Sequence, residues 1–324
     1  FRQFTLPGAA WILPLILASG AVSFFHEVLW TRLLQRVIGS SIQAFGVMVA
    51  SFLLGIAIGG AIGARLATGR DRSVRWFIAS QIVVALAAMA AWYALLQWGG
   101  VPKSPSTRVL FGLLILLPLS LAIGVTYPLA VRVLARDALD AAAASARVYS
   151  WNTAGAILGA LIGGFVLIPA LRYEGAVHLA VIASLVLAVA AGVLLIRPGW
   201  RVALPALVLI AAVGLLFQPA APEHLLLVSP LRSDQGTLVH YSVGRSADVV
   251  VVRDDGLLDL RTNGLPEAGS PVLGAAPTAN VEAWMSMMAV LARPDARDLL
   301  IVGFGGGNVA QAVPPSVRRV DVIE

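Results

Sequence analysis

Long apolar runs fill the first two thirds of the chain, and short alternating runs follow them. The long runs predict seven membrane-spanning helices at roughly 8–31, 42–67, 74–98, 108–135, 148–170, 175–196 and 201–217, because a hydrocarbon core about 30 Å thick needs roughly 20 apolar residues per helical crossing. Trp11, Trp30, Trp76, Trp92, Trp98, Trp151 and Trp200 fall near the ends of these runs, as expected of amphipathic rings at a membrane interface. Pro118, Pro128 and Pro205 lie inside them and predict kinks that neighbouring helices accommodate. After Phe217 the pattern changes. Residues 218–222 read as a linker, and 236–243, 247–253 and 257–262 as strands, with Asp254-Asp255-Gly256 as the turn between the last two. An amphipathic helix is predicted at 280–292, then an apolar strand from Asp298, a glycine-rich turn, a short helix and a second strand at 319–324.

Composition sharpens this picture. The chain is 59% hydrophobic and only 12% charged, against roughly 25% charged in an ordinary soluble domain. The net charge of +6 conceals an asymmetry: 15 Lys+Arg against 5 Asp+Glu up to Phe217, and 8 against 12 from Gln218 onward. The basic excess therefore belongs to the loops between helices. It is concentrated at Arg65, Arg70, Arg72 and Arg75, at Arg132, Arg136 and Arg147, and at Arg197 and Arg201. The alternate loops hold only Arg32 and Arg36, then Lys103 and Arg108, then Arg172. The positive-inside rule places the N-terminus in the cytoplasm of an inner-membrane protein and, with seven spans, the C-terminal segment on the opposite side. No basic patch with interleaved aromatics points to nucleic acid. The absence of cysteine excludes disulfides, thiolate metal sites and cysteine nucleophiles. The chain opens on Phe1, which suggests a longer gene product, and the first helix runs on as a full span without a signal-peptide cleavage site.

Two glycine stripes stand out, Gly55, Gly59 and Gly63 in the second span and Gly155, Gly159 and Gly163 in the fifth. Glycine at every fourth position makes a flat strip on which another helix can pack closely. The stripes occupy corresponding places if spans one to three and four to six form two three-helix repeats, although such stripes also occur in bundles without a repeat. His26 and Glu27 near the end of the first span, with Arg32 beyond them, read either as an interfacial polar anchor or as a proton or substrate relay. Asn152 and Tyr127 are expected to bond across helices.

The run Gly303-Phe304-Gly305-Gly306-Gly307-Asn308 carries the most chemical information. A buried strand ending in G-x-G-x-G lets the backbone turn sharply and approach a ligand, and an acidic residue at the end of the next strand, Glu324, is placed to accept from ribose hydroxyls. Asn308 stands where the dinucleotide fingerprint requires glycine, which favours a nucleoside of the S-adenosylmethionine type over NAD. The alternative is a Rossmann-like turn with an empty pocket. The fold class is thus a mainly α, polytopic transmembrane bundle followed by a small β segment and a partial Rossmann-like α/β unit. Its parts are a bundle at 1–217, a linker at 218–222, a β-hairpin segment at 223–278 and the α/β unit at 279–324.

Four segments resemble the membrane-bound spermidine synthase-like family, in which a major-facilitator-like bundle is fused to a polyamine aminopropyltransferase domain. They are Ser19-Gly20 with His26-Glu27-Val28-Leu29-Trp30-Thr31-Arg32; Ala50-Ser51-Phe52-Leu53-Leu54-Gly55 running into Gly63-Ala64-Arg65; Tyr149-Ser150-Trp151-Asn152-Thr153; and Thr262-Asn263-Gly264-Leu265-Pro266-Glu267, with the glycine run and Val320-Asp321-Val322-Ile323-Glu324. The resemblance implies a decarboxylated S-adenosylmethionine-like donor held by Gly303, Gly305, Gly307 and Glu324 if the domain is complete. The departures are as informative. Met287 stands where the family has a histidine, the stretch Ala276-Pro277-Thr278-Ala279 lacks the usual acidic residue, and the family's catalytic aspartate lies on a later strand. Amine attack needs a carboxylate to position and deprotonate the nucleophile. No catalytic and no metal-binding residue is therefore assigned.

Three functions remain open. The first is a non-catalytic structural or accessory subunit, with lipid and other membrane subunits as partners. The second is the ordered part of an active aminopropyltransferase. The third is a small-solute or polyamine transporter, for which the bundle offers few carboxylates.

Overall fold

The computed structural model describes residues 8–38, 41–97, 104–196, 200–229, 236–272 and 281–323. The chain divides into a helical unit, 1–225 with the turn 243–246, and a C-terminal unit formed by the remainder.

The helical unit contains α1 (Ile12–Ile38), α2 (Ile42–Leu66), α3 (Arg70–Gln97), α4 (Pro105–Leu134), α5 (Ala141–Ile162), α6 (Ile168–Ala191) and α7 (Trp200–Leu216). Five helical stretches are long and apolar enough to cross a membrane, the fifth being the 56-residue run Ala141–Ile196. At about 1.5 Å per residue that run is far longer than one crossing, and it is not straight. A five-residue π-helical segment covers Gly163–Leu167, and Arg172 has φ 56° and ψ −172°, which breaks the helix there. Pro169, without a backbone N–H, cannot continue the ladder at this point. The break falls between the fifth and sixth expected spans, although by length and composition the run forms a single candidate span. Val202–Leu216 is a shorter apolar helix.

Helices α1 and α4 are central: α5 packs on α1 and α2 on α4, while α6 and α3 pack against each other and against α1 and α4 respectively. Exchanging α1–α3 for α4–α6 leaves this pattern of contacts unchanged. The exchange corresponds to a shift of one hundred residues. Gly55, Gly59 and Gly63 become Gly155, Gly159 and Gly163. A Cβ placed on Gly63 would lie 2.6 Å from Pro128 Cγ of α4, and one on Gly159 would lie 2.6 Å from the Ala21 carbonyl carbon of α1. Buried positions of α3 also reappear in α6 at the same shift: Ser73, Phe77, Ser80, Gln81, Val84, Ala88 and Ala91 correspond to the buried Tyr173, Val177, Ala180, Val181, Ser184, Ala188 and Ala191.

One core cluster joins the starts of three helices to the ends of two others. Ile12 and Ile16 of α1, Val74 and Phe77 of α3, and Val148 of α5 meet Leu129 and Val133 of α4 and Leu187 and Ala191 of α6. Its members lie at helix ends that alternate in direction, as in an up-and-down bundle.

In the C-terminal unit, β1 (Thr237–Val243), β2 (Asp248–Asp254), β3 (Leu257–Thr262) and β4 (Leu265–Pro271) form a sheet in sequence order, following a short α8 (Glu223–Leu227). Pairs β2–β3 and β3–β4 are antiparallel. The turn at Asp255-Gly256 forms as the alternation predicts. The strand β4 has no counterpart in the predicted elements, yet Asn263-Gly264 is a strong hairpin signal. Both residues have positive φ, 51° and 85°, the conformation whose twist suits a two-residue hairpin. Asn263 Oδ1 also accepts from the Asp248 N–H at 3.0 Å. Asn263→Val is expected to destabilise this hairpin by about 1–3 kcal/mol, because a β-branched residue at positive φ is strained. Asn263→Gly, which loses only the side-chain bond, should cost about 1 kcal/mol. Amide hydrogen exchange across 257–271 in the full chain would rank the two.

The rest of this unit is α9 (Val281–Ala292), β5 (Asp298–Val302), α10 (Asn308–Gln311) and β6 (Arg319–Ile323). Strands β5 and β6 are parallel, with Leu300 opposite Asp321. The stretch 276–279 and Glu324 lie outside the described residues.

Candidate functional site

Two sets of residues, one in each unit, gather polar chemistry. In the helical unit, α1 carries Ser19, Ser23 and His26 at spacings of four and three, hence on one face, and all three are buried. Gln81 Nε2 of α3 donates to Ser19 Oγ at 3.2 Å. Two turns along, His26 Nε2 lies 3.3 Å from Ser184 Oγ of α6. The Ser184 hydroxyl donates to the Ala180 carbonyl at 2.9 Å, which leaves its oxygen to accept from the imidazole in the tautomer that carries its proton on Nε2. The His26 Nδ1 atom is buried with no hydrogen-bond partner among the described residues.

The structure moves His26 away from the place expected for it. Because α1 runs to Ile38, His26 sits near the middle of its helix and wholly inside the bundle, where it joins α1 to α6. Glu27, the next residue, is half-buried and points about 100° further round the helix, so the two do not form one site. Arg32 is tied to backbone in two other segments. Its guanidinium donates to the Gly164 carbonyl at 3.1 Å, to the Gly244 carbonyl at 3.1 Å and to the Arg245 carbonyl. Gly164 lies in the π-helical segment, where the altered ladder leaves carbonyls available to a side chain. Asn152 packs closely on Gly20: a Cβ on Gly20 would lie 3.0 Å from Asn152 Oδ1. Tyr127 bonds from α4 to α5, its hydroxyl 2.9 Å from Ser145 Oγ.

In the C-terminal unit, Gly303, Gly305 and Gly307 all have positive φ, 89°, 52° and 77°. This conformation costs glycine little and other residues more, which explains the motif without any ligand. Asn308, at the fingerprint's variant position, is buried and donates through Nδ2 to the Gly269 carbonyl of β4. It therefore ties the glycine turn to the β-sheet. Phe304 occupies part of the turn's interior, since a Cβ on Gly307 would lie 3.1 Å from its ring. Above Gly303 the space is open, with no atom within 4 Å of a Cβ placed there. The helix after the turn, α10, has only four residues, so it supplies little of the dipole expected of a helix N-terminus. Met287 lies on α9 and is 44% exposed. Among the described residues no group of three or more His, Asp and Glu is placed to hold a metal ion.

The chain matches no protein-family model, no curated protein and no solved structure.

Ser19, Gln81 and Ser184 escaped sequence reasoning because single small polar residues in apolar helices carry no periodic signal. The spacing of Ser19, Ser23 and His26 is the one clue that could have found the face they share.

Proposed function

We propose that this protein is an accessory subunit of a membrane assembly, its helices embedded in the bilayer and its C-terminal unit completed by further protein structure. The observation that carries this reading is the uncovered parallel pair β5–β6. Leu300 is 59%, Val302 80%, Val322 42% and Ile323 57% exposed, and these residues lie on both faces of the pair. Parallel strands with apolar residues on both faces belong inside a layered α/β structure. On the neighbouring α9, Val281, Trp284, Met285, Met288 and Leu291 are exposed at helical spacing, a stripe of the kind that packs against a partner.

Seven crossings, with the N-terminus on one side and the chain beyond α7 on the other, fit the hydrogen bonds of the helical unit. His224, after α7, approaches the carbonyl of Leu95 at the end of α3, at 2.7 Å. Arg32, in the last two turns of α1, holds the turn at Gly244. Both contacts bring the chain after α7 to the ends at which the odd-numbered helices α1 and α3 finish. The loop arginines then favour a cytoplasmic N-terminus.

Hydrogen exchange at 298–302 and 319–323, compared between native membranes and the purified chain, tests the subunit reading. Protection in membranes that disappears on purification supports it; equal, rapid exchange in both rejects it.

A second reading has one observation of its own. The open backbone at Gly303, at the end of a parallel strand, is a turn that nucleosides use in Rossmann-like units. In this reading the domain is an aminopropyltransferase-like module, Gly303, Gly305 and Gly307 bear on a decarboxylated S-adenosylmethionine-like donor, and Glu324 receives its ribose. Calorimetric titration with that nucleoside separates the two readings: micromolar binding favours the transferase, and no heat favours the subunit. The transporter reading has weaker support, since the buried His26 cluster holds no carboxylate to attract a cation.

A further inference from the structure

The bundle contains an open pocket of about 540 Å³ lined by the end of α2, the end of α4 and the start of α5. Its polar groups are Arg132, Arg136, Asp137, Ser145 and the Tyr127 hydroxyl, and Ala64 and Ala67 form its apolar wall. We propose that this pocket binds the phosphate of an anionic lipid headgroup. The inference is independent of what the C-terminal unit does.

The internal repeat supplies the first argument. Arg132 and Arg136 lie one hundred residues after Arg32 and Arg36, and Ala64 one hundred before Gly164. The pocket is therefore the counterpart, at the other end of the bundle, of the place where Arg32 is held. There, three backbone carbonyl oxygens surround the guanidinium, those of Gly164, Gly244 and Arg245. Two of these come from the turn at 243–246, and the repeat has no second turn to offer Arg132. Among the described residues no hydrogen-bond or ion-pair partner is found for the guanidinium of Arg132 or of Arg136. Equivalent positions thus carry an arginine at both ends, with the chain's own carbonyl oxygens around Arg32 at one end and a pocket beside Arg132 at the other.

Charge supplies the second argument. Asp137 is engaged in the loop, its Oδ1 accepting from the Asp140 N–H at 2.9 Å. Asp140 in turn accepts from the Arg136 N–H at 3.2 Å and from Arg147 Nη2 at 3.5 Å. Two guanidiniums against one occupied carboxylate leave the pocket positive. Guanidinium forks match phosphate oxygens in pairs.

Depth supplies the third. Arg132 is in the last turn of α4, level with Leu129 and Val133 of the apolar cluster, and Arg136 lies two residues past the helix end at Leu134. That is the level at which headgroup phosphates lie, on the side where Arg65, Arg70, Arg72, Arg75 and Arg147 also cluster. Basic pockets between helices on this side of a membrane are suited to anionic headgroups.

The test is native mass spectrometry of the full chain in detergent, titrated with phosphatidylglycerol or with phosphatidylcholine. The expected result is preferential retention of phosphatidylglycerol. Its affinity should fall about thirtyfold in Arg132→Gln/Arg136→Gln and about fivefold in Arg136→Gln alone. Arg75→Gln, an exposed charge on the same side but outside the pocket, should change affinity less than twofold. Because Arg136 is exposed, its single variant reads the site even if the double variant folds poorly. Equal retention of the two lipids, or an equal loss in Arg75→Gln and Arg136→Gln, overturns the proposal. So does displacement of phosphatidylglycerol by millimolar inorganic phosphate, which would assign the pocket to a soluble anion.

Discussion

Alanine at Gly159 and alanine at Gly60 are expected to shift stability in opposite directions. Both glycines are within helices, where alanine is intrinsically better by about 1 kcal/mol. At Gly60 the nearest atom to a new Cβ is the Gly124 carbonyl oxygen, at 3.9 Å. Gly60→Ala should therefore stabilise by about 0.5–1 kcal/mol. At Gly159 the new Cβ would lie 2.6 Å from both the carbonyl carbon and the Cα of Ala21. Backbone cannot swing aside as a side chain can, so α5 must retreat from α1 along the whole stripe. Overpacking of this kind costs about 1–3 kcal/mol, occasionally more, and Gly159→Leu should fall at or above the top of that range. Gly59→Ala should behave as Gly159→Ala does, since its Cβ would lie 3.0 Å from the Leu121 carbonyl carbon. Thermal melting of the purified variants in one detergent gives the order. If Gly159→Ala melts above the unaltered chain, the close approach of α5 and α1 is wrong.

Arg261→Met is expected to cost about 3–5 kcal/mol, the largest loss for any single side chain in the C-terminal unit. Arg261 is 1% exposed, and its Nε lies 2.8 Å from Asp259 Oδ2 on the same buried face of β3. Its Nη1 also donates to the Leu227 carbonyl. Across the sheet Val250 stands opposite Arg261 and Val252 opposite Asp259, so the ion pair has apolar cross-strand neighbours. Removing the guanidinium leaves a buried carboxylate and an unpaired carbonyl. Removing both charges, in Asp259→Leu/Arg261→Met, should recover most of the loss, because a buried pair replaced by well-packed apolar groups is often neutral. Denaturation of the full chain, followed by exchange in β2 and β3, reads this double-mutant cycle. A double variant no more stable than Arg261→Met would show that the pair is held for more than mutual neutralisation.

Much of this protein is legible wherever a single segment carries its own physical signal. Uninterrupted apolar length marked the helices, because lipid demands it of each span separately. The glycine stripes announced close packing, since a residue without a Cβ lets two helix backbones approach most closely. Asp255-Gly256 fixed a hairpin through φ alone, and Asn263-Gly264 held the same information for β4. Gly303, Gly305 and Gly307 likewise announced a sharp turn, and all three adopt positive φ.

Which surfaces the stripes meet depends on the whole bundle. The sequence showed two similar stripes, but their partners, α4 for one and α1 for the other, come from the whole bundle. Those partners turn a possible repeat into a pattern of contacts that survives exchange of its halves. His26 had no such local signal. Its helix extends beyond the apolar run, so a residue that looked interfacial became a buried link to Ser184, 158 positions away. Asn308 changed meaning in the same way: a defect in a ligand motif became the clasp between a turn and β4. The burial of Arg261 was equally invisible, because an arginine two residues from an aspartate on a strand reads as a solvated pair. Local signals fix backbone conformation, whereas the meaning of a polar side chain depends on what lies across from it, and the sequence does not list its neighbours in space.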